Sequence, residues 1–146
     1  MNARLLIGGA LASLALGMPA SFAADASDPI VPSDALKHAG GEEIYRRVCQ
    51  GCHMPDGRGA QGGGTYPALA ENPHLASAQF TAVTVALGRR NMPHFAPQPE
   101  LGAFEAFVVM HLDDAEIAAV VNYVRSHFGN HYTDELTAAD IAKLHP

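Results

Sequence analysis

The 146-residue sequence has no tryptophan, only two cysteines, and aromatic side chains at 7% of its positions. Two cysteines cannot build a multi-disulfide scaffold, so the fold has to rest on a packed core. Lys and Arg number nine against fifteen Asp and Glu, a formal charge of −6, and no two basic pairs adjoin. The lack of a basic patch argues against nucleic acid and against anionic membrane surfaces as partners. The longest apolar run falls short of the roughly 20 residues needed to span a bilayer. No internal repeat and no strand-length alternation of apolar and polar residues is present. What remains is an acidic chain long enough for one compact domain and one core.

The N-terminus has the layout of a cleavable export signal. Arg4 precedes an apolar stretch over 5–16, and the small residues Ser21 and Ala23 stand at the positions a cut after Ala23 requires. An uncleaved N-terminal anchor is the alternative; no cysteine follows the run, so no lipid anchor is indicated. Cleavage leaves 146 − 23 = 123 residues and a charge of 8 − 15 = −7. Residues 24–39, rich in Asp, Ser and Pro at the start, read as a flexible leader; 40–129 form the main domain and 130–146 a C-terminal extension.

Helical signals dominate the rest. Glu42 and Glu43 precede Arg46 and Arg47, with Ile44, Tyr45 and Val48 on one face, which predicts a short helix over 41–48 oriented with its dipole. Asn72-Pro73 opens a second helical region, with Ser77 capping Ala78–Leu87 and Gly88 stopping it. Asp113 and Glu116 have capping-box spacing, and Ile117, Val120, Val121, Val124 and Phe128 form one apolar stripe that Gly129 ends. A last short helix is expected over 137–144. The Gly- and Pro-rich stretches 54–67 and 89–101 read as loops.

Both cysteines fall in Cys49-Gln50-Gly51-Cys52-His53. A Cys-x-x-Cys pair alone serves thioredoxin-like redox centres and zinc sites as well. The first of these belongs beside a β-α-β pattern, which is missing, and the second needs another Cys or His cluster at ligand spacing. With His directly following, the motif is that of covalent haem attachment: each thiol adds across a vinyl group and the imidazole ligates iron. One haem c is the cofactor this implies, with His53 as the proximal ligand.

From Gly41 to Gly129 the sequence resembles the class I cytochromes c. An N-terminal helix leads into the haem motif, a Gly-rich loop ends in Pro67-Ala68-Leu69, a late loop carries Met92-Pro93, and a final helix spans 114–127. The resemblance implies an all-α fold of about four to five helices around one haem. It implies that the Pro67 carbonyl accepts the ring N–H of His53, that Tyr66 and Leu69 join Pro67 in lining the haem pocket, and that Met92 is the sixth ligand. Tyr45 and Tyr123 then meet as core aromatics where the first and last helices cross, with Gly41 permitting the approach. Arg58, Arg89 and Arg90 either pair with the haem propionates or lie solvated at the surface; the second suits arginine better.

Met92 lies 92 − 53 = 39 residues after His53. Met110, His94 and His111 are rival sixth ligands, while Met54, beside His53, is a packing residue. With both axial positions filled the protein moves electrons; with a labile sixth position it is a haem enzyme or gas sensor instead. The resemblance favours an electron carrier of the periplasm, between a dehydrogenase or reductase and an oxidase or further cytochrome. The tail from Asn130 onward is similar to tails in cytochrome subunits of periplasmic alcohol and aldehyde dehydrogenases.

Overall fold

Backbone contact between two helices positions everything else. A computed structural model describes residues 36–62, 64–98 and 110–145. The export signal, the leader up to residue 35 and the run before Met110 lie outside the described residues. Helix α1 (Gly41–Ile44) starts with Glu42 and Glu43 in its first turn, where carboxylates favour the helix dipole. It continues through one wider π-helical turn, Tyr45–Cys49, into α2 (Gln50–His53). The expected helix over 41–48 therefore runs on to include the whole Cys-x-x-Cys-His motif.

The long C-terminal helix, Asp114–Ser126, forms for the reasons its sequence gives. The Asp113 carboxylate accepts from the Glu116 amide at 2.8 Å, and the Glu116 carboxylate accepts from the Asp113 amide at 2.8 Å. Its Ile117, Val120, Val121 and Val124 are buried. Two further helices complete the set among the described residues. Between α2 and Asp113 lies α3 (Ala78–Leu87), capped by Ser77 Oγ accepting from the Phe80 amide at 3.2 Å; it follows a 3-10 turn at Pro73–Ala76. We label Asp114–Ser126 α4 and Ala138–Ile141 α5.

Helices α1 and α4 cross at Gly41. A methyl group on Gly41 would sit 2.1 Å from the Ala119 carbonyl oxygen and 2.6 Å from Tyr123 Cβ, so no larger residue fits. The aromatic rings close in behind this contact, with Tyr45 and Tyr123 centroids 5.8 Å apart and Phe128 4.7 Å from Tyr45.

Four expectations change. The described fold is helical, with one small addition: β1 (Ala60–Gln61) pairs antiparallel with β2 (Thr65–Tyr66) inside the stretch read as loop. Two residues per strand are too few to show alternation, and the reversal is closed by the Gly62 amide donating to the Gly64 carbonyl at 3.0 Å. The packed unit also begins before residue 40, because Leu36 is only 3% exposed and belongs to the core. Nor is the segment after 129 an appendage, since Ile141 is fully buried among the residues of the main core. The terminal helix itself is shorter than expected, Ala138–Ile141 followed by turn.

Arg125 holds that tail. Its side chain is 1% exposed, and it donates from Nε to the Leu75 carbonyl at 2.9 Å, from Nη1 to the Asp134 carbonyl, and from Nη2 to Asp134 Oδ1 at 2.5 Å. The guanidinium also lies over the Tyr132 ring, 5.5 Å from its centroid. A buried charge is tolerable here because its donors are used. Hydrogen bonding from Arg125 lowers the Asp134 carboxyl below its ordinary 3.8. Because that pKa is lowered on folding, the stabilisation is full above the ordinary carboxylate range and is lost as pH falls through the lowered value. We predict that Arg125→Leu costs about 2–3 kcal/mol, chiefly from buried carbonyls left without donors. Urea unfolding at neutral pH measures this, and the variant should also lose part of the wild-type stability change below pH ~4.

Candidate functional site

Helix α2 ends on His53, which is buried to 8% exposure. Its Nδ1 lies 2.9 Å from the Pro67 carbonyl oxygen. A carbonyl only accepts, so the proton sits on Nδ1 and the lone pair on Nε2, which makes no hydrogen bond among the described residues. The imidazole is thus held in the tautomer a metal requires, with its free nitrogen available.

The backbone leaves the helix abruptly after this residue. Met54 has φ 66°, ψ 156°, a conformation that costs a non-glycine residue about 1–3 kcal/mol and persists only where neighbours enforce it. The enforcing bonds are present. The His53 carbonyl accepts from the Gly59 amide at 3.0 Å; the Met54 carbonyl accepts from the Gly57 amide at 3.1 Å and from the Tyr45 hydroxyl at 2.6 Å. Burial, and next the charges of Cys49 and Tyr123, push the Tyr45 phenol up to about 12, so it remains a donor at any physiological pH.

Cys49 is partly buried and Cys52 exposed, three positions apart along the same helical turn, and they are not bonded to each other. Burial, then the neighbouring Cys52, pushes the Cys49 thiol up to about 12. Zinc would need further thiolate or imidazole ligands, and two cysteines alone do not close a zinc site. Among the described residues no three His, Cys, Asp or Glu side chains come together as a metal-binding group either.

The hairpin delivers the next predicted residues. Tyr66 ends β2 and is exposed, its ring lying beside Gly64 rather than turned inward; Pro67 reaches His53; Leu69 packs against the core, its amide donating to the Gly57 carbonyl at 2.6 Å. Arg58 is exposed beside Asp56, and Arg89 and Arg90 are exposed, with Arg89 over the Phe80 ring at 5.7 Å.

Met92 sits in a loop folded back on the end of α3. The Arg89 and Met92 amides each donate to the other's carbonyl at 3.1 Å, and Gly88 turns the chain at φ 74°, where a side chain would strike the Met92 carbonyl at 2.7 Å. The Ala96 amide then donates to the Ala86 carbonyl at 3.0 Å. Met110 is not remote from this loop, because the Leu112 amide donates to the Phe95 carbonyl at 2.8 Å. Both methionines are partly buried against the core. The same pairing puts the His94 and His111 rings 5.9 Å apart, and their Nε2 and Nδ1, respectively, are buried without hydrogen-bond partners among the described residues. The structure therefore brings all four rival sixth ligands into one neighbourhood.

These residues fit a covalently held haem. Buried polar atoms in a folded protein are ordinarily paired, so the two orphaned imidazole nitrogens mark a place where a group beyond the polypeptide completes the site. Two thiols able to add across vinyl groups and an imidazole with its metal-binding nitrogen free are what covalent haem attachment requires. The sequence matches the family profile described as Cytochrome c over residues 38–128. The chain belongs to the cytochrome c family. It is 37% identical over 106 residues, 71% of its own length, to the cytochrome c subunit of an alcohol dehydrogenase (quinone) from Gluconobacter oxydans (strain 621H). It is 31% identical over 119 residues, 78% of its length, to a fructose dehydrogenase cytochrome subunit from Gluconobacter japonicus. The chain spans 21% and 24% of the lengths of these two relatives.

As a member of the cytochrome c family, the chain carries Cys49, Cys52 and His53 as its motif for covalent haem c. Tyr45 is the residue at this site that sequence reasoning treated as packing alone. Its apolar neighbours Ile44 and Val48 gave it a core position, while its acceptor, nine residues on, sits in a backbone conformation no pattern announces. Intact-mass measurement of the native cytochrome should show the polypeptide plus one haem. Cys52→Ala should keep one thioether and one vinyl group, shifting the reduced absorption bands to longer wavelength.

Proposed function

We propose that this cytochrome is an exported one-electron carrier with iron held between His53 Nε2 and Met92 Sδ, serving a dehydrogenase or reductase and passing electrons to an oxidase or further cytochrome. The observation that carries the ligand reading is the His53–Pro67 hydrogen bond, which commits one ring nitrogen to a carbonyl and leaves the other for metal. The haem supplies a reversible Fe(III)/Fe(II) couple. His53 and Met92 would hold its iron and leave no place on it for a substrate. His53 does this from a helix end tied down on three sides, and Met92 from a loop pinned at Gly88 and stiffened by Pro93.

Three things support Met92 over Met110. Its loop is fixed by paired backbone bonds to Arg89, Pro93 follows it, and Met110 leads within three residues into the Asp113 cap, which leaves little chain with which to reach inward. Export is supported by the signal layout over 1–23, and thioether formation belongs to the compartment such a signal addresses, here the periplasm. The donor class is supported by relatives that are cytochrome subunits of alcohol and fructose dehydrogenases.

Met92→Ala should abolish the weak sulfur-to-iron absorption of the oxidised protein, lower the reduction potential and admit carbon monoxide to the reduced iron. Met110→Ala should cost mainly packing, about 2–5 kcal/mol at full burial and less for this partly buried side chain. Exchange of these two outcomes would transfer the ligand role to Met110. The native chain should begin at Ala24, and a dehydrogenase should co-purify with it; a chain still starting at Met1 would overturn the export reading.

A further inference from the structure

The Tyr45 hydroxyl is placed where a packing residue has no use for one. The ring is 3% exposed and touches Tyr123 and Phe128, contacts that a phenylalanine would make equally well. The oxygen instead crosses to the Met54 carbonyl at 2.6 Å, one peptide beyond His53. That carbonyl belongs to the residue whose φ of 66° turns the chain out of the helix, and its other hydrogen bond comes from the Gly57 amide. Gly57 also receives the Leu69 and Ala70 amides on its own carbonyl, at 2.6 and 2.9 Å. The Tyr45 bond thus closes a small frame. One side is the helix that bears His53, the other is the 67–70 segment whose Pro67 oxygen takes the His53 ring proton.

We infer that Tyr45 is a positioning residue for the proximal histidine, its hydroxyl clamping the Met54 peptide so that the His53 ring stays aimed at the Pro67 carbonyl. This rests on His53 being the iron ligand, as proposed above. Tyr45 acts through the backbone and touches neither the imidazole nor iron. A short Nδ1–H to carbonyl bond makes the ligating imidazole more basic, which favours Fe(III). Loosening the frame lengthens that bond and weakens the preference, so loss of the hydroxyl raises the reduction potential. The phenol's elevated pKa keeps the donor proton in place across the working range.

The test compares Tyr45→Phe with Tyr123→Phe in the haem-loaded protein. Tyr123 lies in the same aromatic cluster, but its hydroxyl has no hydrogen bond among the described residues. The expected result is a shift of the Fe(III)/Fe(II) equilibrium toward Fe(II) of at least threefold for Tyr45→Phe, about 28 mV for one electron. The hyperfine-shifted haem-methyl resonances of the ferric protein, which report the imidazole plane, should change with it. Tyr123→Phe should leave both unchanged. As a variant that keeps the ring and the fold, 3-fluorotyrosine at position 45, a stronger donor, should move the potential the opposite way.

A Tyr45→Phe protein that melts earlier but keeps the wild-type potential and methyl pattern overturns the inference and leaves Tyr45 a structural residue; so does a fluorotyrosine protein with an unchanged potential. A wild-type spectrum lacking the shifted resonances of a ligated His53 ring overturns the site reading and this inference with it.

Discussion

Helices α1 and α4 meet without side chains between them at Gly41, and this contact determines where the haem motif can be. Because a methyl group there would overlap the Ala119 carbonyl, the two backbones are locked at a single separation. The cysteines and His53 follow within thirteen residues on the same continuous helical run, so their position relative to the core is inherited from that crossing. The core then closes around it from several directions. Leu36 arrives from before the first helix, Ala82 and Ala86 from α3, and Ile141 from the tail, each fully or almost fully buried. Burial of this apolar set is what offsets the cost of ordering the Gly- and Pro-rich loops that carry Pro67 and Met92.

Those loops are held by backbone bonds more than by side-chain packing. The Met92 loop returns to α3 through Arg89, Phe95 and Ala96, and the Pro67 segment returns to the haem motif through Gly57 and Gly59. Backbone bonds of this kind fix where the two loops lie and leave their side chains available to the site.

The parts legible in the sequence were those whose cause is local. Ser77 and the Asp113–Glu116 box announced two helix starts because a cap is decided within four residues, and the apolar stripe of α4 announced its buried face. The haem motif was legible because its chemistry needs five consecutive residues. The β1–β2 hairpin was not, since two residues per strand carry no period and its place depends on Pro67 meeting His53. Arg125 was equally opaque: its acceptors stand fifty residues before it and nine after it, so nothing beside it in sequence marks it as buried. Tyr45 read correctly as core, but the partner of its hydroxyl depends on a strained residue that only the folded chain reveals.

The buried Arg125 has a consequence for where this unit can be cut or joined. The family profile ends at residue 128, yet the guanidinium three residues earlier is neutralised by Asp134, Asn122 exchanges two hydrogen bonds with the Leu136 backbone, and His145 Nε2 reaches Asp114 Oδ1 at 2.7 Å. The boundary recognised by sequence similarity therefore falls inside the cooperative unit. A graft of residues 38–128 into another protein would transplant an arginine without its counter-ion, and the recipient would have to supply a carboxylate and two or three turns of polypeptide over the α3–α4 face before the borrowed domain could fold.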